Sequence, residues 1–378
     1  MTVATDSPFT AEELAPTLRP LLEASLLPPR AYVDDAVAEW EARNLFLGGW
    51  MCVGHVSSLA GRGEFLTVEL AGDSLLFIGD GEGNARGFFN VCRHRGSRLV
   101  TEPEGSTRRL QCPYHAWTYG FDGSLRNAPH TDELQDFDPA CNGLRQLRTE
   151  VVGGLLFCDV SGEAPPLDEH VGALVEHLDH YRTGELRRGA RIDYEVAANW
   201  KAIVENYSEC YHCPGVHPEL NRLSHYLSGD DIEGPGAWCG GSMTLTEGAA
   251  TMATNGGGPT RPAIAGVDER AVLYFAIFPN CLVSLHPDYV MLHTLWPRGA
   301  GRTDVICEWF FEPETMEREG FDGTDAVEFW DMVNRQDWEV CELSQSGIGS
   351  RGYTSGRYTE VEGTVHDFDR MVAEAYLR

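Results

Sequence analysis

Two short segments constrain this chain more than any other feature: residues 91–98, VCRHRGSR, and residues 111–120, QCPYHAWTYG. They set Cys92, His94, Cys112 and His115 as C-x-H, seventeen intervening residues, then C-x-x-H. Two thiolates and two imidazoles on two loops can hold a metal centre. Zinc accepts such donors, but zinc fingers pair a Cys couple with a His couple, whereas here each segment supplies one of each. C-x-H is also too tight for a zinc knuckle.

A two-iron cluster, with both thiolates on one iron and both imidazoles on the other, suits a mixed pair from each loop. That is the ligation of a Rieske [2Fe–2S] centre. Gly96 permits a sharp turn in the first loop, Pro113 stiffens the second, and Gly120 closes the turn after it. Backbone N–H groups and the Tyr119 hydroxyl can bond cluster sulfurs and raise the potential. Neutral imidazoles in place of two thiolates remove negative charge, so the centre should take electrons from a lower-potential ferredoxin or flavin and pass them on.

At 378 residues the chain suits two domains with sizeable cores. A net charge of −29 argues against nucleic acid or an anionic membrane as partner. It is compatible with plain solubility, with a salt-adapted host, or with attraction of a cationic substrate. No apolar run is long enough to span a bilayer, and the N-terminus carries no secretory pattern. Eleven thinly spread cysteines do not read as a disulfide framework, and thiols beside an iron–sulfur motif point to a reducing cytoplasm.

Residues 1–48 read as a helical arm, with Thr10 as an N-cap and a second short helix from Asp34 to Asn44. From 49 to 160 the pattern turns to short alternating runs broken by Gly, Asp and Asn. Residues 64–70, 74–79 and 87–91 read as strands, and 151–160 as a single closing strand. An antiparallel β domain with both cluster loops at one end is expected. Residues 161–166 form a polar linker, 167–181 have helical spacing, and 194–196 read as a short strand. No repeat and no low-complexity segment occurs.

A second chemical stretch covers residues 199–218, NWKAIVENYSECYHCPGVHP. Asn199 is a good N-cap, and the apolar spacing predicts a helix that carries Glu205, Glu209 and His212 on one face. Pro214 and Gly215 should break it after Cys213. On a regular helix His212 and His217 would diverge by about 140°, and such a bend brings both imidazoles to one metal. Two His and a remote carboxylate make the facial triad of a non-heme Fe(II) oxygenase. H-x4-H alone is weak, but a Rieske centre needs a terminal electron acceptor. The carboxylate should come from the acidic helix over residues 329–347, with Asp331 and Asp337 as candidates. Cys210 and Cys213 read as small buried helix residues in preference to a redox or zinc motif.

Taken together, C-x-H-x17-C-x2-H, then N-W-K-x3-E-N-Y-x-E-C-Y-H-x4-H, then D-x4-E-x2-Q-x-G resemble the catalytic α subunits of Rieske non-heme iron oxygenases over nearly the whole chain. The resemblance implies mononuclear iron ligands at His212, His217 and Asp337, its D-x4-E spacing favouring Asp337 over Asp331. Ring-hydroxylating members usually carry Asp three residues before the first His, linking one subunit's cluster to the next subunit's iron. Here that position is Glu209, which looks like the branch acting on glycine betaine, stachydrine, choline and carnitine. It further implies an α+β fold: an N-terminal antiparallel Rieske domain, then a catalytic domain over 161–378 with a central antiparallel sheet flanked by helices. Runs at 271–278, 281–285, 289–296 and 304–311 suit that sheet. A homotrimer is implied as well.

The expected activity is oxygenation of a carbon next to a cationic nitrogen. Electrons would come from NAD(P)H through a separate flavin/iron–sulfur reductase or ferredoxin, since no dinucleotide fingerprint is present. Tyr207, Trp238, Tyr274, Phe278, Tyr289 and Trp330 are candidates for aromatic faces toward a quaternary ammonium group, with core packing as the plain alternative for most of them. The rival activity is ring hydroxylation or O-/N-dealkylation of an aromatic compound. A pure electron carrier would need no second iron site, and a zinc-bearing module would be colourless.

Overall fold

The computed structural model describes residues 7–255 and 261–378. They fall into two compact units, Leu47–Ala164 and a second made of the residues up to Phe46 together with Pro165–Arg378. The N-terminal stretch read as a helical arm packs with the C-terminal unit.

The Leu47–Ala164 unit is antiparallel throughout. Its strands are β1 (Trp50–His55), β2 (Glu64–Leu70), β3 (Asp73–Gly79), β4 (Ala85–Phe89), β5 (Glu104–Ser106), β6 (Leu110–Gln111), β7 (Thr118–Tyr119), β8 (Leu125–Asn127), β9 (Gln146–Val152) and β10 (Leu155–Asp159). Seven form one sheet in the order β1-β10-β9-β4-β3-β2-β5, and β6-β7-β8 form a second. The single strand expected over 151–160 is instead the end of one strand, a turn and a second strand. Gly153 and Gly154 both have positive φ, as a two-residue hairpin turn requires, and Val152 pairs with Leu155.

In the other unit the N-terminal helices are α1 (Ala11–Leu14), α2 (Arg30–Val33) and α3 (Asp35–Glu41). Thr10 and Glu13 form a capping box on α1, and Asp34 caps α3. Residues 167–181 break at Gly172, giving α4 (Leu167–Val171) and α5 (Leu174–His180). The strand expected over 194–196 runs from Arg187 to Val196 as β11. It edges a sheet with β12 (Asp231–Ile232), β13 (Trp238–Thr244), β14 (Ala271–Ile277), β15 (Cys281–Leu285), β16 (Val290–Pro297) and β17 (Thr303–Phe311), in the order β11-β17-β16-β15-β14-β13-β12. Strand β15 is buried along its whole length, as is β16 up to Trp296, so both faces of the sheet centre are covered.

Helix α6 (Trp200–Tyr207) lies against β16. After it come α7 (Cys213–Val216), α8 (Pro218–Leu223), α9 (Pro313–Met316), the 25-residue α10 (Thr324–Ile348) and α11 (Gly363–Tyr376). Both α10 and α11 pack on α6, which makes α6 the helix through which the sheet, α10 and α11 are brought into register.

Candidate metal centres

The two cluster loops have the same backbone construction. The N–H of Gly96 donates to the Cys92 carbonyl, and that of Ala116 to the Cys112 carbonyl. Each Cys N–H in turn donates to the carbonyl five residues on, Ser97 or Trp117. Closing such a loop needs a left-handed residue, supplied by Gly96 (φ 74°) and Ala116 (φ 58°). Cys92 and Cys112 are buried, within hydrogen-bonding reach of each other, whereas His94 and His115 are exposed. The imidazoles sit 4.7 Å apart between centroids, His94 stacked on Trp117 and His115 on Tyr114. The Tyr119 hydroxyl lies 3.3 Å from the Cys92 sulfur and accepts the Arg93 N–H. Two inward thiols and two outward imidazoles are the donor set a Rieske cluster takes.

The second set is assembled from distant parts of the chain. Asn199 caps α6 through the Lys201 N–H, as the sequence suggests. Trp200 and Lys201 then reach the same buried carboxylate: Glu41 accepts from Trp200 Nε1 at 2.9 Å and from Lys201 Nζ at 2.5 Å. The helix expected to continue to Cys213 ends at Tyr207, where Ser208 caps it with both its N–H and its hydroxyl on the Val204 carbonyl. Pro214 opens the short helix α7 instead of breaking a long one, and His212 and His217 flank that turn. Glu209 and His212 therefore do not share an α6 face with Glu205. Cys210 and Cys213 are joined in a disulfide, correcting the expectation of small helix residues; the other nine cysteines form none.

His212, His217 and Asp337 place one donor atom each within 4.8 Å of one another. Asp337 Oδ1 is 2.7 Å from His217 Nε2 and 3.3 Å from His212 Nε2. The other ring nitrogens are occupied: Glu209 Oε1 holds His212 Nδ1 at 2.6 Å, and Gln336 Oε1 holds His217 Nδ1 at 2.7 Å. Both Nε2 atoms are thereby turned toward Asp337. Asp331, the alternative carboxylate, is engaged elsewhere, by the Tyr194 hydroxyl and Arg335. Burial opposes a charge on His212, yet Asp337 and Glu209 outweigh it and raise its pKa to about 9. Burial likewise raises Asp337, but the two imidazoles carry it below its ordinary value. Two imidazole nitrogens and a carboxylate oxygen converging in this way are a donor set suited to a divalent ion.

The late motif acts as a clamp. Glu342 accepts the Ala197 N–H and Gln345 the Asn199 N–H, each at 2.9 Å, and Gln345 donates to the Tyr32 carbonyl. These bonds tie α10 to the start of α6 and so hold Asp337 opposite the histidines. Gln336 and Glu41 escaped sequence reasoning. Gln336 is signalled only by its place beside Asp337, and Glu41 by nothing local.

The aromatic candidates do not form one box. Tyr207 bonds Ser284 through its hydroxyl at 2.8 Å and meets Tyr274 edge-on, with His293 close by. Tyr289 and Trp330 bond each other, Tyr289 also donating to the Met252 carbonyl. Trp238 packs on Phe275 and Phe278 on Trp200. Tyr207 and Tyr274 are connected, through His293 and Trp338, with the neighbourhood of Asp337, and Trp330, like Cys210, packs against the cluster that includes Cys213.

An antiparallel domain with two Cys/His loops, joined to a helix-covered sheet beside which a turn and a long helix bring two His and an Asp together, is the architecture of an oxygenase with two metal centres. Known proteins make the class definite. Residues 49–138 match the Rieske [2Fe-2S] domain, and residues 183–378 match the ring hydroxylating alpha subunit (catalytic domain). The chain is 31% identical to the glycine betaine monooxygenase oxygenase subunit of Chromohalobacter salexigens, over 100% of this chain and 92% of that one. It is 30% identical to the subunit of the same description from Pseudomonas aeruginosa strain PAO1 (88% and 85% covered). Among solved structures, the quaternary ammonium Rieske monooxygenase CntA with L-carnitine superimposes with a TM-score of 0.79 at 26% identity, covering 93% of this chain and 96% of that one.

The chain belongs to the ring-hydroxylating α subunits of the Rieske oxygenases. It is an oxidoreductase of the O2-incorporating class, and the family's cofactors, a Rieske [2Fe–2S] cluster and a non-heme iron, fit the two donor sets. No helix among the described residues is long and apolar enough to cross a membrane.

Proposed function

We propose that this chain is the terminal oxygenase of a system that hydroxylates a carbon next to a quaternary nitrogen, with glycine betaine as the leading substrate. The observation that carries this reading is similarity along the full length to glycine betaine monooxygenase oxygenase subunits. Glu209 in place of the more usual Asp supports it. Hydroxylation of an N-methyl group gives a hemiaminal, which collapses to formaldehyde and the demethylated amine.

In this reading Cys92, Cys112, His94 and His115 hold the cluster, and His212, His217 and Asp337 hold the mononuclear iron. When bound, the cluster relays single electrons and the iron activates O2 for insertion into a C–H bond. Glu209 and Gln336 fix which imidazole nitrogen faces the metal, and Glu342 and Gln345 set the position of Asp337. Tyr207 and Tyr274 offer aromatic faces to a trimethylammonium head. Glu209 links His212 to a cluster histidine of a neighbouring copy in a cytoplasmic homotrimer. The electrons come from NAD(P)H through a separate flavin/iron–sulfur reductase or ferredoxin.

Reduced, iron-loaded protein exposed to O2 in single turnover tests the reading, with glycine betaine, stachydrine, choline, carnitine and several aromatic acids offered in turn. Formaldehyde with a betaine and none with an aromatic acid is the expected result. Cluster re-oxidation only with an aromatic substrate would keep both iron sites and overturn the substrate class.

A further inference from the structure

Beside the mononuclear donor set lies a cavity of about 470 Å³. Glu205, Glu209 and His212 line it, and it reaches the surface at Ser344 and Gly347, which are exposed. Behind Glu205 is an acidic group that the metal chemistry described above does not use. Tyr32 on α2 donates to Glu205 at 2.5 Å, and Tyr358 donates to Asp369 Oδ2 at 2.5 Å. The Glu205 and Asp369 carboxyls lie within hydrogen-bonding reach of one another. Asp369 is fully buried, and among the described residues its Oδ1 meets no N–H or hydroxyl donor. A buried carboxyl oxygen with no donor beside it, facing the half-buried carboxyl of Glu205, favours a proton between the two.

Lys201 is paired with Glu41, which also accepts from Tyr376; its charge lowers both carboxyls, but burial outweighs it. Of the other groups facing the cavity, Glu362, Glu209, Tyr353 and Cys341 bring no positive charge, and the His212 imidazole is held by Glu209 and Asp337. Burial raises the pKa of both Glu205 and Asp369, and mutual repulsion raises Asp369 further.

We propose that Glu205 and Asp369 share a buried proton and, with water in the adjoining cavity, form the acid store that supplies protons toward the His212–Glu209 side of the mononuclear site. The proposal rests on the monooxygenase reading, in which R–CH3, O2, two electrons and two protons give R–CH2OH and H2O. The Glu205 O–H bond breaks as a cavity water takes the proton. Asp369 and solvent at the Ser344–Gly347 rim restore it, and nothing in the relay is oxidised or reduced. Glu205 is a relay residue and not a ligand.

The test uses Glu205→Gln and Asp369→Asn, which keep shape and hydrogen bonding, with Glu205→Asp as the conservative control. Infrared spectra of the iron-free protein at neutral pH should show a protonated-carboxyl C=O stretch that shifts in D2O and disappears in both amide variants. In the loaded enzyme, Glu205→Gln should slow product formation about tenfold, enlarge the solvent isotope effect and release hydrogen peroxide in place of product. Cluster reduction should be unchanged and Glu205→Asp should restore part of the rate. A wild-type spectrum without that stretch overturns the proposal, and so does a folded Glu205→Gln protein with normal rate and coupling. If no betaine is turned over by the wild type, the substrate reading fails while the infrared result still decides whether the proton is there.

Discussion

The two donor sets of this chain are built in opposite ways. All four proposed cluster donors come from two loops about twenty residues apart, each loop closes on its own backbone, and the imidazoles stand in solvent. The mononuclear set spans His212 to Asp337, on a turn and a long helix, and depends on contacts reaching back to Tyr32 and Glu41. A site made of local loops is robust to changes elsewhere in the chain. A site held by a buried polar network inherits every weakness of that network.

The contrast can be broken most severely at Glu41. Glu41→Ala leaves Lys201 as an unpaired buried cation and strips Trp200 and Tyr376 of their acceptor, so it should cost about 3–5 kcal/mol. Thermal melts should show the loss, while the visible spectrum of the cluster stays intact at low temperature. Loss of the cluster signal together with the fold would make the two sites less independent than described.

Acid should discriminate between them as well. Burial holds His170 near pKa 4 and His286 near 3, both in the C-terminal unit. Their folded values lie below the unfolded value of about 6.5, so the unfolded chain binds the extra protons. The contribution of these two histidines is therefore level above about pH 6.5 and falls as pH drops toward 4, by about 1.4 kcal/mol per pH unit for each. Chemical denaturation at pH 7 and 5.5 checks this, and His286→Gln should flatten the dependence.

Smaller effects sharpen the account of the metal environment. Glu209→Gln should leave both metals loaded yet slow electron transfer from cluster to iron by on the order of 10–100-fold, read by stopped-flow re-oxidation. Full turnover in that variant would sink the bridging role. Gln336→Ala frees the His217 Nδ1 and should weaken mononuclear iron about tenfold, measured by competition with a chelator.

What could be read from the sequence follows the same divide. The two matching loops were legible because Cys/His spacing is a local property and Gly96 marks the left-handed turn. The α6 region was read in part: Asn199 caps as expected, but apolar spacing cannot reveal that Ser208 caps the helix on the Val204 carbonyl. Pro214 reads as a breaker in a sequence, whereas its missing N–H suits the first turn of α7 equally well. The hairpin at Gly153 and Gly154 was hidden because apolar residues run on both sides of it. Aromatic residue type gave no way to separate Tyr207 and Tyr274 from Tyr289 and Trp330, which are hydrogen-bonded to each other.

Iron counting on the wild type and on Asp337→Ala, with the visible spectrum recorded alongside, tests the central claim of two independent iron sites most directly. The account predicts about three irons per chain falling to about two, with the cluster spectrum unchanged. Two irons in both proteins would remove the mononuclear site, and loss of the cluster on changing Asp337 would show that the two sites do not stand apart.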